Sequence, residues 1–76
     1  MKINLTLVIS ENCSACERAK KVFLNIQMQN PSIFFNIVNI NSFQDNRIAI
    51  TPALLINDEL FSYGDIDTDK LESKLN

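Results

Sequence analysis

The sequence predicts an α/β domain in which one four-stranded mixed sheet is flanked by helices, in the order β-α-β, short connector, β-β-α. Three observations carry that expectation. Ile3, Leu5, Leu7 and Ile9 fall on alternate positions, the period of a strand. Cys16, Ala19, Phe23 and Ile26 then recur at helical spacing. Two short apolar runs, Ala53-Leu54-Leu55-Ile56 and Leu60-Phe61-Ser62-Tyr63, flank Asn57-Asp58-Glu59, and Asn-Asp tolerates the positive φ of a tight hairpin.

The first helix is expected over about residues 13–29. At about 100° per residue, Ala15, Cys16, Ala19, Val22, Phe23 and Ile26 share an arc of roughly 120°, with Glu17, Arg18, Lys20, Lys21 and Asn25 outside it. Asn30-Pro31 ends the helix, because the residue before proline is pushed out of the helical region. Residues 33–40 follow, apolar at odd and even positions alike, which reads as a strand covered on both faces. Strand, helix, strand over about forty residues is by default a right-handed parallel unit. Residues 42–47 are polar and hold a turn or short helix. Gly64 ends the last strand, Asp67 caps a final helix, and Ile66 is placed to staple against Leu71, which with Leu75 forms that helix's apolar edge. Leu24 and Met28 form an apolar pair four apart on the polar side of the first helix. The connector is expected to fold over them; a small contact patch is the alternative.

Seventy-six residues make one domain, 1–76. With 46% apolar residues, five Phe, one Gly and two Pro, the chain is neither disordered nor loop-rich. Its net charge of −2 gives no general attraction to nucleic acid or anionic membrane. No run approaches the length of a membrane span, and the N-terminus lacks the apolar stretch of a signal peptide, so a cytoplasmic address is expected. In that compartment two closely spaced cysteines point to catalysis or metal binding rather than to a structural staple.

Cys13 and Cys16 are the two cysteines of the chain, set where strand turns into helix. Two thiols three apart in the first helical turn can close a small disulfide ring, and the positive end of the helix dipole favours a thiolate at Cys13. Cys16, one turn on and facing the core, is expected to be shielded. Cys13 therefore forms a mixed disulfide and Cys16 displaces it. Because the chain has no histidine and no lysine or arginine beside the motif, the activation of Cys13 is expected to be weaker than in strongly oxidising dithiol proteins.

This order, with Cys-X-X-Cys after the first strand and Thr51-Pro52 directly before the third, resembles the thioredoxin–glutaredoxin fold in its minimal form. Residues 51–64, Thr-Pro-Ala-Leu-Leu-Ile-Asn-Asp-Glu-Leu-Phe-Ser-Tyr-Gly, are similar to the small single-domain redox-active disulfide proteins of bacteria and archaea. The likeness covers nearly the whole chain. It implies a thiol–disulfide oxidoreductase with a Cys13–Cys16 disulfide, Cys13 attacking and Cys16 resolving. Pro52 takes the place of the fold's cis-proline, packed against the disulfide, and Thr51 offers its backbone N–H and C=O to an extended substrate segment. Cys13, Ser14, Thr51-Pro52 and Gly64 then bound the substrate groove. The implied partners are protein disulfides and an upstream reductase or low-molecular-weight thiol, met by a monomer that uses no cofactor and no metal.

The sequence departs from the family pattern at several positions. Asn12 replaces the Trp that precedes the motif in thioredoxins, and Ser14-Ala15 replaces Gly-Pro within it. Leu7 stands where thioredoxins bury an Asp that relays a proton to the second cysteine, which leaves that proton to water, Cys13 or the substrate. Glu11 and Asn12 occupy the place of the basic residue with which glutaredoxins meet glutathione, and only Tyr63-Gly64-Asp65 resembles their second contact.

Other readings use the same residues. Copper- and mercury-carrying domains also place Cys-X-X-Cys between a first strand and helix, though with Met where Glu11 stands and with a final strand where residues 67–75 read as helix. A zinc site needs four ligands, and this chain offers two thiolates and no histidine. A third reading is an interaction module without strong catalysis. Pro52 also reads as an ordinary trans proline at a strand start, Thr51 as a surface loop residue, and Arg18, Lys20 and Lys21 as a solvated helix face.

Overall fold

Leu5, Thr6, Leu7 and Val8 are all buried, which requires a strand covered on both sides. The computed structural model, which describes residues 3–43 and 48–75, places them in β1 (Asn4–Ile9), one of the two inner strands of a four-stranded sheet. The remaining elements are α1 (Ser14–Gln29), β2 (Phe34–Asn39), β3 (Ala53–Ile56), β4 (Glu59–Tyr63) and α2 (Thr68–Leu75). The sheet order is β2-β1-β3-β4. β1 runs parallel to β2 from Asn4↔Phe34 to Ile9↔Asn39 and antiparallel to β3 from Leu5↔Ile56 to Val8↔Ala53.

Alternation along β1 divides the core in two. Leu5 and Leu7 join Leu54 of β3, Ala19, Phe23 and Ile26 of α1, and Leu71 of α2. Both helices therefore pack on one face, where Phe23 meets Phe35 edge to face with ring centroids 5.0 Å apart. Val8, Ala53 and Leu55 form the opposite core with Ile48, and Ile40 and Phe43 pack against it. That second face is thus covered by the described flanks of the connector between β2 and β3. Residues 41–42 form its turn; residues 44–47, where the rest of the expected turn or short helix falls, lie outside the described residues.

Two expectations are corrected here. β2 is an edge strand with no fully buried residue, and Phe34 is 63% exposed. Its apolar residues at odd and even positions reflect side chains feeding both cores, Phe35 on one side and Val38 on the other, rather than full cover. Nor do the described flanks of the connector fold over Leu24 and Met28, which stay 45% and 81% exposed. Phe43 and Ile48 are drawn instead to the opposite face, where Val8 and Leu55 would otherwise be bare.

The local signals at the element ends act as expected. Asn30 closes α1, its Nδ2 donating to the Ile26 carbonyl at 2.8 Å and its N–H to the Gln27 carbonyl at 3.2 Å. Asp67 caps α2 by accepting the Lys70 N–H at 3.1 Å, and Ile66 packs in the cluster that holds Leu71. The β3–β4 hairpin turns on Asn57 (φ 51°) and Asp58 (φ 66°), the two left-handed residues whose twist matches paired strands. Asn57 also reaches β1: its N–H donates to the Asn4 carbonyl at 2.7 Å, and its Oδ1 accepts the Asn4 N–H at 2.9 Å. A register shift between Leu54 and Leu55, which pair with Ser62 and Leu60, leaves Phe61 as an extra residue of β4, and Phe61 packs on the helix-covered core.

Asn57→Ala removes one acceptor and puts alanine, which tolerates the left-handed region less well than asparagine, at φ 51°, so it is expected to cost about 1–2 kcal/mol. Gly64→Ala, at φ 76° with nothing within 4 Å of a β-carbon, is expected to cost about 1 kcal/mol through backbone strain alone. Urea denaturation midpoints check both values.

Candidate functional site

The site begins where β1 runs out. Asn12 takes φ 54°, a left-handed conformation that asparagine tolerates better than most residues, and this turns the chain from strand into helix. Cys13 then sits at the N-cap of α1 with extended backbone (φ −122°, ψ 105°). Its carbonyl accepts the Glu17 N–H at 3.2 Å, and its Sγ accepts the Cys16 N–H at 3.1 Å. A sulfur thus fills the capping position usually taken by an oxygen, and it receives one of the otherwise unpaired N–H groups of the first turn.

Cys13 and Cys16 are joined by a disulfide, with their Cα atoms 5.1 Å apart. Their surroundings differ sharply. Cys13 is half-buried, whereas Cys16 is only 2% exposed and lies on the helix face that carries Ala19, Phe23 and Ile26. Ser14, the first residue of α1, is exposed. A cleft that includes both cysteines is lined also by Ile9, Ser10, Glu11, Asn12, Glu17 and Lys20.

Thr51 and Pro52 lead into β3, the neighbour of β1, and so reach the same end of the sheet. The Thr51–Pro52 peptide bond is cis, and the Pro52 side chain is buried while Thr51 is half-buried. The link to the cysteines is Ser10, which sequence reading did not single out. Its Oγ lies 2.6 Å from Thr51 Oγ1 and 4.0 Å from Cys16 Sγ. Ser10 was hard to find because its partner is 41 residues away; the available signal was a small hydroxyl residue directly after the strand and three before Cys13. Gly64 joins from the far side, its N–H donating to the Pro52 carbonyl at 2.7 Å. Cys13, Cys16, Thr51, Pro52 and Gly64 are thereby drawn into one neighbourhood, and Ser14 borders it from the exposed side without a bond to the others among the described residues.

Arg18 pairs with Asp65 through Nε–Oδ1 at 3.1 Å and Nη2–Oδ2 at 3.4 Å, which fastens the residue after Gly64 to α1. Both side chains are exposed, so the pair orients the turn more than it stabilises the fold. Among the described residues no group of three or more His, Cys, Asp or Glu side chains converges as a metal site, and no helix is long and apolar enough to cross a membrane. The chain ends its described elements in α2, not in the strand that a copper-carrier order requires.

Comparison with known proteins places this geometry. No curated protein is similar enough in sequence to count as a match. Solved structures that share the fold include Chlamydomonas reinhardtii thioredoxin f2 (TM-score 0.75, 17% identity, 97% of this chain and 76% of that one). Trichomonas vaginalis thioredoxin is similar at TM-score 0.75 and 16% identity over 96% and 76% of the two chains. Fasciola hepatica thioredoxin is similar at TM-score 0.72 and 11% identity over 95% and 77%. The family model described as the thioredoxin domain matches residues 1–76. With a four-stranded mixed sheet, two helices on one face and a Cys-X-X-Cys disulfide at the start of the first helix, this chain belongs to the thioredoxin domain family.

Proposed function

We propose that this protein is a thiol–disulfide oxidoreductase that exchanges its Cys13–Cys16 pair with disulfides of other proteins. Family membership supports thiol–disulfide redox chemistry in general. The observation that carries the division of labour is the asymmetry of the two sulfurs: Cys13 half-buried at the N-cap, Cys16 2% exposed beneath it.

In the reduced protein, the helix start favours the Cys13 thiolate, because the Cys16 N–H and the positive end of the α1 dipole stabilise negative charge there. That thiolate attacks one sulfur of a substrate disulfide. The substrate S–S bond breaks, one substrate sulfur leaves as thiolate, and a Cys13–substrate mixed disulfide forms. Cys16, as thiolate, attacks Cys13 Sγ and displaces the second substrate sulfur. Two electrons have passed from the dithiol to the substrate, and the protein is left with the disulfide seen here. An upstream reductase or a low-molecular-weight thiol reverses the exchange.

Ser14, Thr51, Pro52 and Gly64 are the residues we assign to the contact surface for an extended substrate segment, with the Thr51 backbone offering it an N–H and a C=O; the Ser10 bridge from Thr51 to Cys16 supports this reading. A reducing cytoplasm suits a pair that cycles rather than staples.

Titration in defined thiol–disulfide buffers is expected to show a single two-electron couple within roughly −270 to −120 mV. A pair that stays oxidised or reduced across that span would remove the shuttle. Alkylation of reduced protein is expected to proceed at Cys13 below the pH of about 8.5 at which an ordinary thiol ionises, and to spare Cys16.

Role assignment is tested by trapping. Cys16→Ser is expected to accumulate a mixed disulfide with substrate, while Cys13→Ser abolishes both trapping and turnover; the opposite pattern reverses the roles. Stoichiometric copper(I) binding without disulfide reductase activity would instead favour a soft-metal carrier.

A further inference from the structure

Cys16 poses a problem that the exchange reaction alone does not solve. When an incoming thiolate attacks Cys13 Sγ, the Cys13–Cys16 bond breaks and its electron pair goes to Cys16, leaving a thiolate at a position 2% exposed. A buried anion without a hydrogen-bond donor is strongly disfavoured. β1 offers no help from below, since Leu7 is a core residue at 1% exposure. The charged groups near the sulfurs are Glu11 on the preceding turn and Glu17 and Lys20 on α1; all three are exposed, and none hydrogen-bonds Cys16.

Among the described residues, the polar side-chain atom in contact with that sulfur is Ser10 Oγ, 4.0 Å away and part-buried. It is itself fixed by Thr51 Oγ1 at 2.6 Å, across the gap between the end of β1 and the start of β3. In the disulfide, Cys16 Sγ carries no proton, so Ser10 is the donor in this contact.

We propose that Ser10 is a catalytic residue, its hydroxyl donating to the Cys16 thiolate each time that thiolate forms, and that Thr51 is the positioning residue that holds Ser10 in place. The proposal rests on the oxidoreductase reading above and deepens it. In the resolving direction the Cys16 thiol gives its proton to solvent, and Ser10 stabilises the anion that remains. That anion attacks Cys13 Sγ, the Cys13–substrate bond breaks, and the departing substrate thiolate takes up a proton from solvent. In the reductive direction Ser10 stabilises Cys16 as the leaving group.

The test is a single-turnover reaction of fully reduced protein with an aromatic disulfide that releases a coloured thiolate, followed across pH. The first equivalent reports attack by Cys13, and the second reports displacement by Cys16. Ser10→Ala is expected to leave the first phase unchanged and to slow the second roughly 10- to 100-fold, the value of one hydrogen bond to a charged group. Because loss of the donor disfavours the thiolate, the pH midpoint of the second phase rises. Ser10→Thr restores both rate and midpoint. Thr51→Val shifts the second phase in the same direction by less, and Thr51→Ser restores it; this pair also decides the question if Ser10→Ala fails to fold. A second phase in Ser10→Ala or Thr51→Val that matches the parent protein at every pH overturns the proposal. So does uniform slowing with no change of midpoint, which is the mark of a merely structural role. Absence of the first phase in the parent protein is a different failure, that of the oxidoreductase reading itself.

Discussion

β1 is the strand on which the rest of the molecule is built. Its four central residues are buried, so neighbours are required on both edges and a core on each face. Pairing parallel with β2 and antiparallel with β3 means that the C-terminal end of β1 lies beside the N-terminal end of β3. The Cys-X-X-Cys turn leaves β1 at that end, and Thr51-Pro52 enters β3 at the same end. A separation of some forty residues along the chain thereby becomes a 2.6 Å contact between Ser10 and Thr51. The hydrophobic demand of one strand assembles the site.

Within that frame, the sulfur of Cys13 has a structural task as well as a chemical one. As the N-cap acceptor it satisfies an N–H of α1 that would otherwise lack a partner. The same N–H is aimed where negative charge develops on reduction, so the geometry that starts the helix also favours the reactive form. Cys16 has the reverse situation. Its place on the core face of α1 shields it from solvent, and the hydroxyl pair above it is the polar counterpart of that shielding.

Most of the element pattern was legible because its signals are local. Alternation in residues 3–9, helical spacing from Cys16 to Ile26, Asn30-Pro31, Asn57-Asp58 and Asp67 each act over a few residues, and each produced the expected strand, helix, stop, turn or cap. β2 misled because an apolar run records which side chains are apolar, not how much cover each receives. Phe35 and Val38 are drawn into separate cores while Phe34 stays in solvent. Leu24 and Met28 misled in the same way: an apolar pair suggests a cover, but Phe43 and Ile48, on the described flanks of the connector, were drawn to the face over Val8 and Leu55.

By itself, then, the sequence determined the order of elements, the position of the two thiols at a strand-to-helix turn, and the difference in depth between them, since periodicity and capping depend on near neighbours. Tertiary structure decided which strands became edges, that both described helices share one face, and that Ser10 rather than any residue of the motif bridges Cys16 to Thr51. Those outcomes depend on contacts between residues far apart in the chain, whose partners are chosen only when the two cores close around β1.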